Sequence, residues 1–480
     1  MDHLTAAWID GVAVSSSATF DVLNPATGEV VAPAADADRA TIDQAIDVAR
    51  RAFEEWRSVP AVDRAEQIRQ WADLLDAKAE ELAAIATAES GKLFREARGE
   101  VGAGTAALRW AADMAVKPQR TDLPAPSETR QHFTASQPVG VVACITPWNF
   151  PIAAVLVKVG AAIAAGCTVV VKPSEETPFV ALAIAQLSAE AGLPPGVVNV
   201  VPTSTPAEFG NAIAESKTVR AVSFTGSTRV GKLLYEQCAG TMKRLSLELG
   251  GNAPFIVFAD ADIDRAVDDA VNARFYNNGQ ICVGANRFFI HEDVYDEFSQ
   301  GLAARVRELQ PGDGTDERSD VGPLINRRAK DHFTSLLNNA VDAGAEVLAG
   351  CIDKDPESLF VQPTVLGNVN PEMDVYTKEI FGPMACLYSF GDSDDAVALA
   401  NDTDAGLAAY AYSEDHAFLA DVGAQLEAGV VGLNTTQIFA SDLPFGGTKE
   451  SGFGREHGED CLDEFLETKS FSVEMGRKSE

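Results

Sequence analysis

This chain predicts an α/β fold with parallel sheets and helices on both faces, and three observations carry the prediction. Between 139 and 225, short apolar runs alternate with helical stretches over short connections, the pattern of strands joined by crossover helices. A second α/β stretch begins near Gly250. At 480 residues the chain also exceeds the size at which one core stops growing, so two or three domains are expected.

The first element in chain order is an amphipathic helix. Asp38 or Thr41 can cap it, and Ile42, Ala45, Ile46, Ala49, Phe53 and Trp56 recur on one face at three- and four-residue spacing. A second helix is expected from about 62 to 89, ended by Ser90-Gly91. After Pro118, the run Thr121-Asp122-Leu123-Pro124-Ala125-Pro126-Ser127 breaks helix and suits an exposed excursion, and 128–137 alternates as a strand away from the core. Strands are then expected at 139–146, 168–171, 197–201 and 219–225, with helices at 151–165, 177–191 and 206–215 between them. The second region takes strands at 255–258 and 288–290 and helices at 262–276 and 293–308. Ser470-Phe471-Ser472-Val473-Glu474-Met475 reads as an edge strand, a kind of element that invites pairing between subunits.

Composition limits the function classes. Lysine plus arginine number 38 against 71 aspartate plus glutamate, a formal charge of −33 spread along the chain. Such a surface repels nucleic acid and anionic membranes. An acidic, halophilic-type surface is expected, in which molar salt screens carboxylate repulsion; the alternative reading is an ordinary acidic cytosolic enzyme. No window approaches the roughly 18 apolar residues of a membrane span. Met1-Asp2-His3-Leu4-Thr5 carries no signal segment, so a soluble, cytoplasmic protein is expected. Seven cysteines without a Cys-x-x-Cys pair, and six histidines off ligand spacing, argue against a metal site or a disulfide framework.

One cysteine stands apart. Cys282 ends Asn277-Asn278-Gly279-Gln280-Ile281-Cys282, thirty-four residues after Glu248 in Glu248-Leu249-Gly250-Gly251-Asn252. A thiol with an ordinary pKa of about 8.5 needs a proton acceptor to work at neutral pH, and Glu248 is the candidate. Read alone, the cysteine is as compatible with a small core residue and the glutamate with a surface charge. Phe224-Thr225-Gly226-Ser227-Thr228-Arg229-Val230-Gly231 leaves a strand and enters a helix, where amides and the helix dipole can hold a phosphate. A plain strand-to-helix turn explains the same residues.

Seven runs in order give the chain a resemblance to the aldehyde dehydrogenase superfamily over nearly its whole length: Thr146-Pro147-Trp148-Asn149-Phe150-Pro151, Val171-Lys172-Pro173-Ser174-Glu175, Phe224-Thr225-Gly226-Ser227-Thr228, Glu248-Leu249-Gly250-Gly251, Gly279-Gln280-Ile281-Cys282, Glu379-Ile380-Phe381-Gly382-Pro383 and Pro444-Phe445-Gly446-Gly447. The resemblance implies a Rossmann-type cofactor domain (1–121 and 140–249), a catalytic domain (250–443) and a small β oligomerisation arm (122–139 and 455–480). It also implies a homodimer or homotetramer. Cys282 would attack the aldehyde, with Asn149 and the Cys282 N–H holding the oxyanion. Glu248 would activate water on the thioester, and Lys158 would be structural or position groups for that step. Lys172 and Glu175 would meet the adenine ribose, Gly226 and Ser227 the diphosphate, and Glu379 the nicotinamide ribose; Trp148, Leu249 and Phe381 would line the cofactor cleft. Glu175 favours NAD, with NADP as the alternative because Lys172 can pair with a phosphate.

In texture the chain is most similar to succinate-semialdehyde dehydrogenases. That subgroup carries an arginine just before the residue matching Lys158 and another six before the nucleophile, where this chain has Val157 and Tyr276. A neutral aldehyde is therefore expected, or a different semialdehyde held by residues such as Gln437 or Ser441, with Phe445 either a loop anchor or a substrate contact. The alternatives are a succinate or 2-oxoglutarate semialdehyde dehydrogenase, a cysteine ester hydrolase, and a non-catalytic binding protein on the same fold.

Overall fold

The computed structural model describes residues 4–117, 120–127, 129–351, 357–392 and 395–475. Pro118, Glu128 and the last residues of the expected arm, 476–480, lie outside them. Two sheets organise the molecule. The first has eight strands in the order Val12–Val14, Ala7–Ile9, Val198–Val200, Thr168–Lys172, Val141–Ile145, Val219–Thr225, Arg244–Glu248 and Gly452–Phe453. Its middle is parallel and both of its ends are antiparallel. The buried strands are runs of valine and alanine, as expected when helices cover both faces. The second sheet has seven strands, Glu346–Ala349, Thr364–Gly367, Met384–Phe390, Ala285–His291, Ala253–Val257, Ala408–Tyr412 and Val430–Leu433.

The first helix runs Arg39–Trp56, and Asp38 caps it by accepting from the Thr41 N–H at 2.9 Å. The single helix expected over 62–89 is two, Ala61–Ala77 and Ala79–Ser90, broken at Lys78, whose ψ of 14° leaves the helical range. Gly91 ends the second in the left-handed region at φ 73°. A further long helix, Phe94–Ala115, was not expected from sequence, and 121–127 is no loose excursion but part of the strand Arg120–Ser127.

That strand pairs with Arg130–Pro138, and Leu466–Glu474 pairs with the other side of Arg130–Pro138 in a separate three-stranded sheet. The final strand is largely exposed and forms the edge. Among the described residues, no helix is long and apolar enough to cross a membrane.

The chain passes from one large sheet to the other at the functionally important point. Glu248 ends the strand Arg244–Glu248 in register with Thr225 on one side and Gly452 on the other. Gly250 and Gly251 then turn the chain into Ala253–Val257 of the second sheet.

Candidate active site

Cys282 follows a turn that few sequences tolerate. After the helix Ile263–Phe275, Asn277, Asn278 and Gly279 take φ of 48°, 54° and 70°, three successive left-handed residues. Asparagine accepts that region more readily than most side chains, and glycine does so freely. The turn is tied on several sides. The Asn277 N–H donates to Glu96 Oε1 at 2.9 Å, its side chain donates to the Asn149 carbonyl at 3.0 Å, and the Ile325 N–H donates to Gln280 Oε1 at 2.9 Å. The Tyr410 hydroxyl donates to the carbonyl of Val283, directly after the candidate nucleophile, at 3.0 Å.

Among the cysteines, 144, 167, 238, 386 and 461 are buried, Cys282 is partly exposed, and Cys351 is exposed. Exposure alone therefore does not single out Cys282; its neighbours do. Burial pushes its thiol well above the ordinary value, and the charges of Glu248 and Glu379 push it further. The Glu248 carboxyl is buried, with Oε1 lacking a hydrogen-bond partner. Desolvation drives its pKa up to about 8, helped by Glu456 and opposed by Lys158 and by contact with Cys282. The structure thus brings a partly exposed thiol and a buried carboxyl together, and each shifts the other's titration beyond what burial does.

The two glycines after Leu249 make this approach sterically feasible. A Cβ on Gly251 would collide with the Cys282 carbonyl oxygen, and one on Gly250 would lie 2.6 Å from Glu379 Oε2. Glu379 accepts from the Gly251 N–H at 3.1 Å, and burial raises its pKa to about 7. Asn149 is buried beside the turn and donates to the Gln280 carbonyl at 2.9 Å, which uses one of its two amide hydrogens and fixes the side chain.

Lys158 is buried against Glu456 and lies 3.3 Å from Ser223 Oγ. Trp148 and Phe381 meet edge to face, with centroids 5.5 Å apart. Lys172 donates to the Pro173 carbonyl at 2.9 Å and to Glu175 Oε2 at 3.2 Å, and its burial lowers its pKa. Ser227 caps the helix Thr228–Ala239, and the Gly226 N–H donates to the Glu248 carbonyl at 3.0 Å, so the turn into this helix starts beside the candidate base. The Leu249 side chain is buried, packed where Gly231 leaves room for it. These residues fit a dinucleotide: a helix N-terminus for phosphate, an exposed Glu175 edge for a ribose, two aromatic walls and a second carboxylate held at a glycine turn.

Sequence reasoning missed several residues that shape the site. Glu100 Oε1 accepts from the N–H groups of Ile152 and Ala153 at 2.7 and 2.9 Å, while Oε2 pairs with buried Lys92 at 2.5 Å. Glu96 and Glu100 thereby tie the unexpected helix Phe94–Ala115 to both the Cys282 turn and the Asn149 segment. Their four-residue spacing after Lys92 reads as a solvated helix face, so sequence offered no signal. Glu456 lies nine residues beyond Pro444-Phe445-Gly446-Gly447, at the end of a glycine-rich stretch. Among the substrate candidates, Tyr276 stacks on Phe150 at 6.5 Å, Val157 is half-buried, Gln437 is exposed, and the Ser441 carbonyl accepts from the Gly458 N–H at 2.9 Å. Phe445 is buried, packs on exposed Phe439 at 4.8 Å and exchanges backbone hydrogen bonds with Glu456.

Two α/β sheets thus meet where a thiol and a carboxyl come together beside a strand-to-helix turn, an arrangement suited to a cysteine-dependent enzyme. The family model described as "Aldehyde dehydrogenase family" matches residues 12–471, and the chain belongs to that family. It is an aldehyde dehydrogenase, an NAD(P)-dependent oxidoreductase acting on aldehydes. It is 43% identical to a non-phosphorylating aspartate-semialdehyde dehydrogenase of Halomonas elongata, covering 98% of this chain and 95% of that protein. Identity is 42% to an NADP+ succinate-semialdehyde dehydrogenase of Escherichia coli, over 98% and 97%. The betaine aldehyde dehydrogenase of Staphylococcus aureus, solved in complex with NAD+, superposes with a TM-score of 0.95 at 32% identity, covering 100% of this chain and 97% of that one.

Proposed function

We propose that this enzyme oxidises a neutral aliphatic or aromatic aldehyde to its carboxylic acid, preferring NAD. What carries the substrate class is that Tyr276, stacked on Phe150, and Val157 stand where succinate-semialdehyde dehydrogenases have arginines, and we take these two side chains as the wall that faces the substrate. A substrate carboxylate set against that wall would be desolvated without a bidentate partner, a cost of several kcal/mol, ~3 or more.

In the reaction, Glu248 takes the Cys282 proton and the thiolate attacks the carbonyl carbon. The Asn149 amide and the Cys282 N–H then hold the oxyanion. The bound nicotinamide ring supplies the hydride acceptor. Glu248 passes the thiol proton on to solvent; as the thiohemiacetal loses hydride it becomes a thioester on Cys282, and the ionised Glu248 then removes a proton from the water that hydrolyses it. Lys158, held by Glu456 and Ser223, keeps a fixed positive charge near Glu248 and opposes the rise of its pKa. Lys172 and Glu175 position the adenine ribose, Gly226 and Ser227 the diphosphate, and Glu379 the nicotinamide ribose; Trp148, Phe381 and Leu249 line the cleft. The NAD preference rests on Glu175, whose side chain is 39% exposed while the Lys172 ammonium is already engaged by it. An aldehyde panel assayed with NAD and NADP should give a higher kcat/KM on propanal or benzaldehyde than on succinate semialdehyde, by about tenfold or more. Higher efficiency on succinate semialdehyde would remove the proposed substrate class.

We divide the chain into a cofactor domain (1–121 and 140–249), a catalytic domain (250–443) and an arm (122–139 and 455–480). We place the protein in the cytoplasm as a homodimer or homotetramer, with Leu466–Glu474 meeting a neighbour. Phe471, Val473 and Met475 are exposed there. Among the described residues the buried carboxylates are Glu89, Glu96, Glu100 and Glu248, so most of the acidic groups lie at or near the surface. Salt at about 1 M screens such charges within about 3 Å. Moving from dilute buffer to molar potassium chloride should raise the melting temperature by several degrees, with light scattering reporting at least a dimer. Equal melting in both, or a monomer mass in molar salt, would contradict the corresponding proposal.

A further inference from the structure

Arg274 lies in the last turn of the helix Ile263–Phe275 and is fully buried. Its Nη1 donates to the Ala285 carbonyl at 3.1 Å and to Asn286 Oδ1 at 2.6 Å. Its Nη2 donates to the Gly279 carbonyl at 2.7 Å and to the Gly382 carbonyl at 2.6 Å. All four acceptors are neutral, and their places in the chain are informative. Gly279 stands three residues before Cys282 and Ala285 three after it, so the two arms of the guanidinium bracket the turn that carries the thiol. Gly382 belongs to the segment that carries Glu379 and Phe381. One planar side chain therefore spans both the nucleophile turn and the cofactor-cleft segment, using the fork geometry that distinguishes arginine from lysine.

Two glycines leave room for this arrangement. A Cβ on Gly279 would collide with the Gly382 carbonyl oxygen, and one on Gly284 would come within 3.3 Å of Arg274 Nη1. The Arg274 charge also lowers the pKa of Glu379, opposing the effect of burial. Glu96 also holds the turn, through the Asn277 N–H, whereas Arg274 bonds to both the turn and the Gly382 carbonyl.

We propose that Arg274 is a positioning residue for the reaction, fixing the Cys282 turn and the 379–382 segment in one frame so that thiol, oxyanion-holding N–H and cofactor contact keep their relative places. This rests on Cys282 being the nucleophile. Alkylating Cys282 in the wild-type enzyme tests that separately, since retained oxidation would overturn the nucleophile whatever Arg274 does.

The test compares full-length Arg274→Met and Arg274→Lys with wild type. It reads melting temperature, kcat and KM on propanal with NAD+, and the pH dependence of Cys282 alkylation by iodoacetamide without cofactor. A misplacement of the turn predicts that Arg274→Met lowers kcat by about 100-fold with KM changed less than about 3-fold. Its alkylation profile should also shift along the pH axis by about one unit as the thiol loses its place against Glu248. Arg274→Lys keeps the charge without the fork and should recover part of kcat, remaining about tenfold below wild type. Wild-type kcat and alkylation profile in Arg274→Met would overturn the proposal and leave Arg274 a filler of the core. If Arg274→Met does not fold, Arg274→Lys decides: reduced kcat with a shifted profile at unchanged melting temperature supports positioning, and wild-type values for both overturn it.

Discussion

Replacing Cys282 with alanine is expected to abolish aldehyde oxidation, lowering kcat by roughly four orders of magnitude or more, while NAD+ still binds. The loss should be this large because no neighbouring group can take over. Cys144 and Cys386 are buried in strands of the two sheets, and Cys351 stands outside the constellation of Glu248, Asn149 and Glu379. Cofactor binding should survive because the residues proposed to hold the dinucleotide bond among themselves. Lys172 pairs with Glu175, Ser227 caps its own helix, and Trp148 packs on Phe381. Kinetics together with cofactor titration by fluorescence would check both halves. Retained oxidation in Cys282→Ala would remove the nucleophile, and loss of binding would show that the thiol turn also supports the cleft.

Replacing Glu248 with glutamine should lower kcat by about 10²- to 10⁴-fold, the range general-base catalysis supplies. Its pH dependence gives a second readout. Burial raises the Glu248 pKa to about 8, so below that pH the carboxyl holds its proton and cannot accept another. Wild-type kcat should therefore rise with pH, about tenfold per unit below the midpoint and levelling above roughly 8. The sign follows from desolvation: the ionised form is disfavoured in the folded site, so the active base fraction grows as pH rises. The glutamine variant keeps the shape but has no such proton to lose, and its residual rate should show no limb near 8. A wild-type profile flat from 6 to 9 would exclude this assignment.

Parts of the fold were legible in the sequence because local pattern and tertiary context agree there. The strand expected at 219–225 and the helix expected at 206–215 occur with those bounds as Val219–Thr225 and Pro206–Glu215. The helix Phe94–Ala115 was hidden by Gly99, Gly102 and Gly104, which argue against helix locally. Packing explains one of them. A Cβ on Gly104 would lie 2.6 Å from Leu156, and one on Gly160 would lie 2.5 Å from Leu108, so these glycines let two helices approach closely.

Arg120–Ser127 was hidden by Pro124 and Pro126, which a sheet accepts at its edge. In the site, Cys282, Glu248 and Asn149 stood out because each lies in a distinctive run. Glu96, Glu100, Tyr410 and Arg274 did not, since each acts through backbone groups that only the fold brings near. The Tyr410 partner, Val283, is 127 residues away in sequence.

The most direct measurement is the mass of the Cys282 peptide after Glu248→Gln is mixed with propanal and NAD+ and quenched with acid. Loss of Glu248 slows thiol attack as well, but a thiol ionises unaided far more readily than water, so hydrolysis slows more and a propionyl thioester should accumulate on Cys282, together with about one reduced cofactor per active site in the first turnover. No acyl group on Cys282, or an equivalent one on another residue, while reduced cofactor still forms, would contradict oxidation through a Cys282 thioester hydrolysed with the help of Glu248.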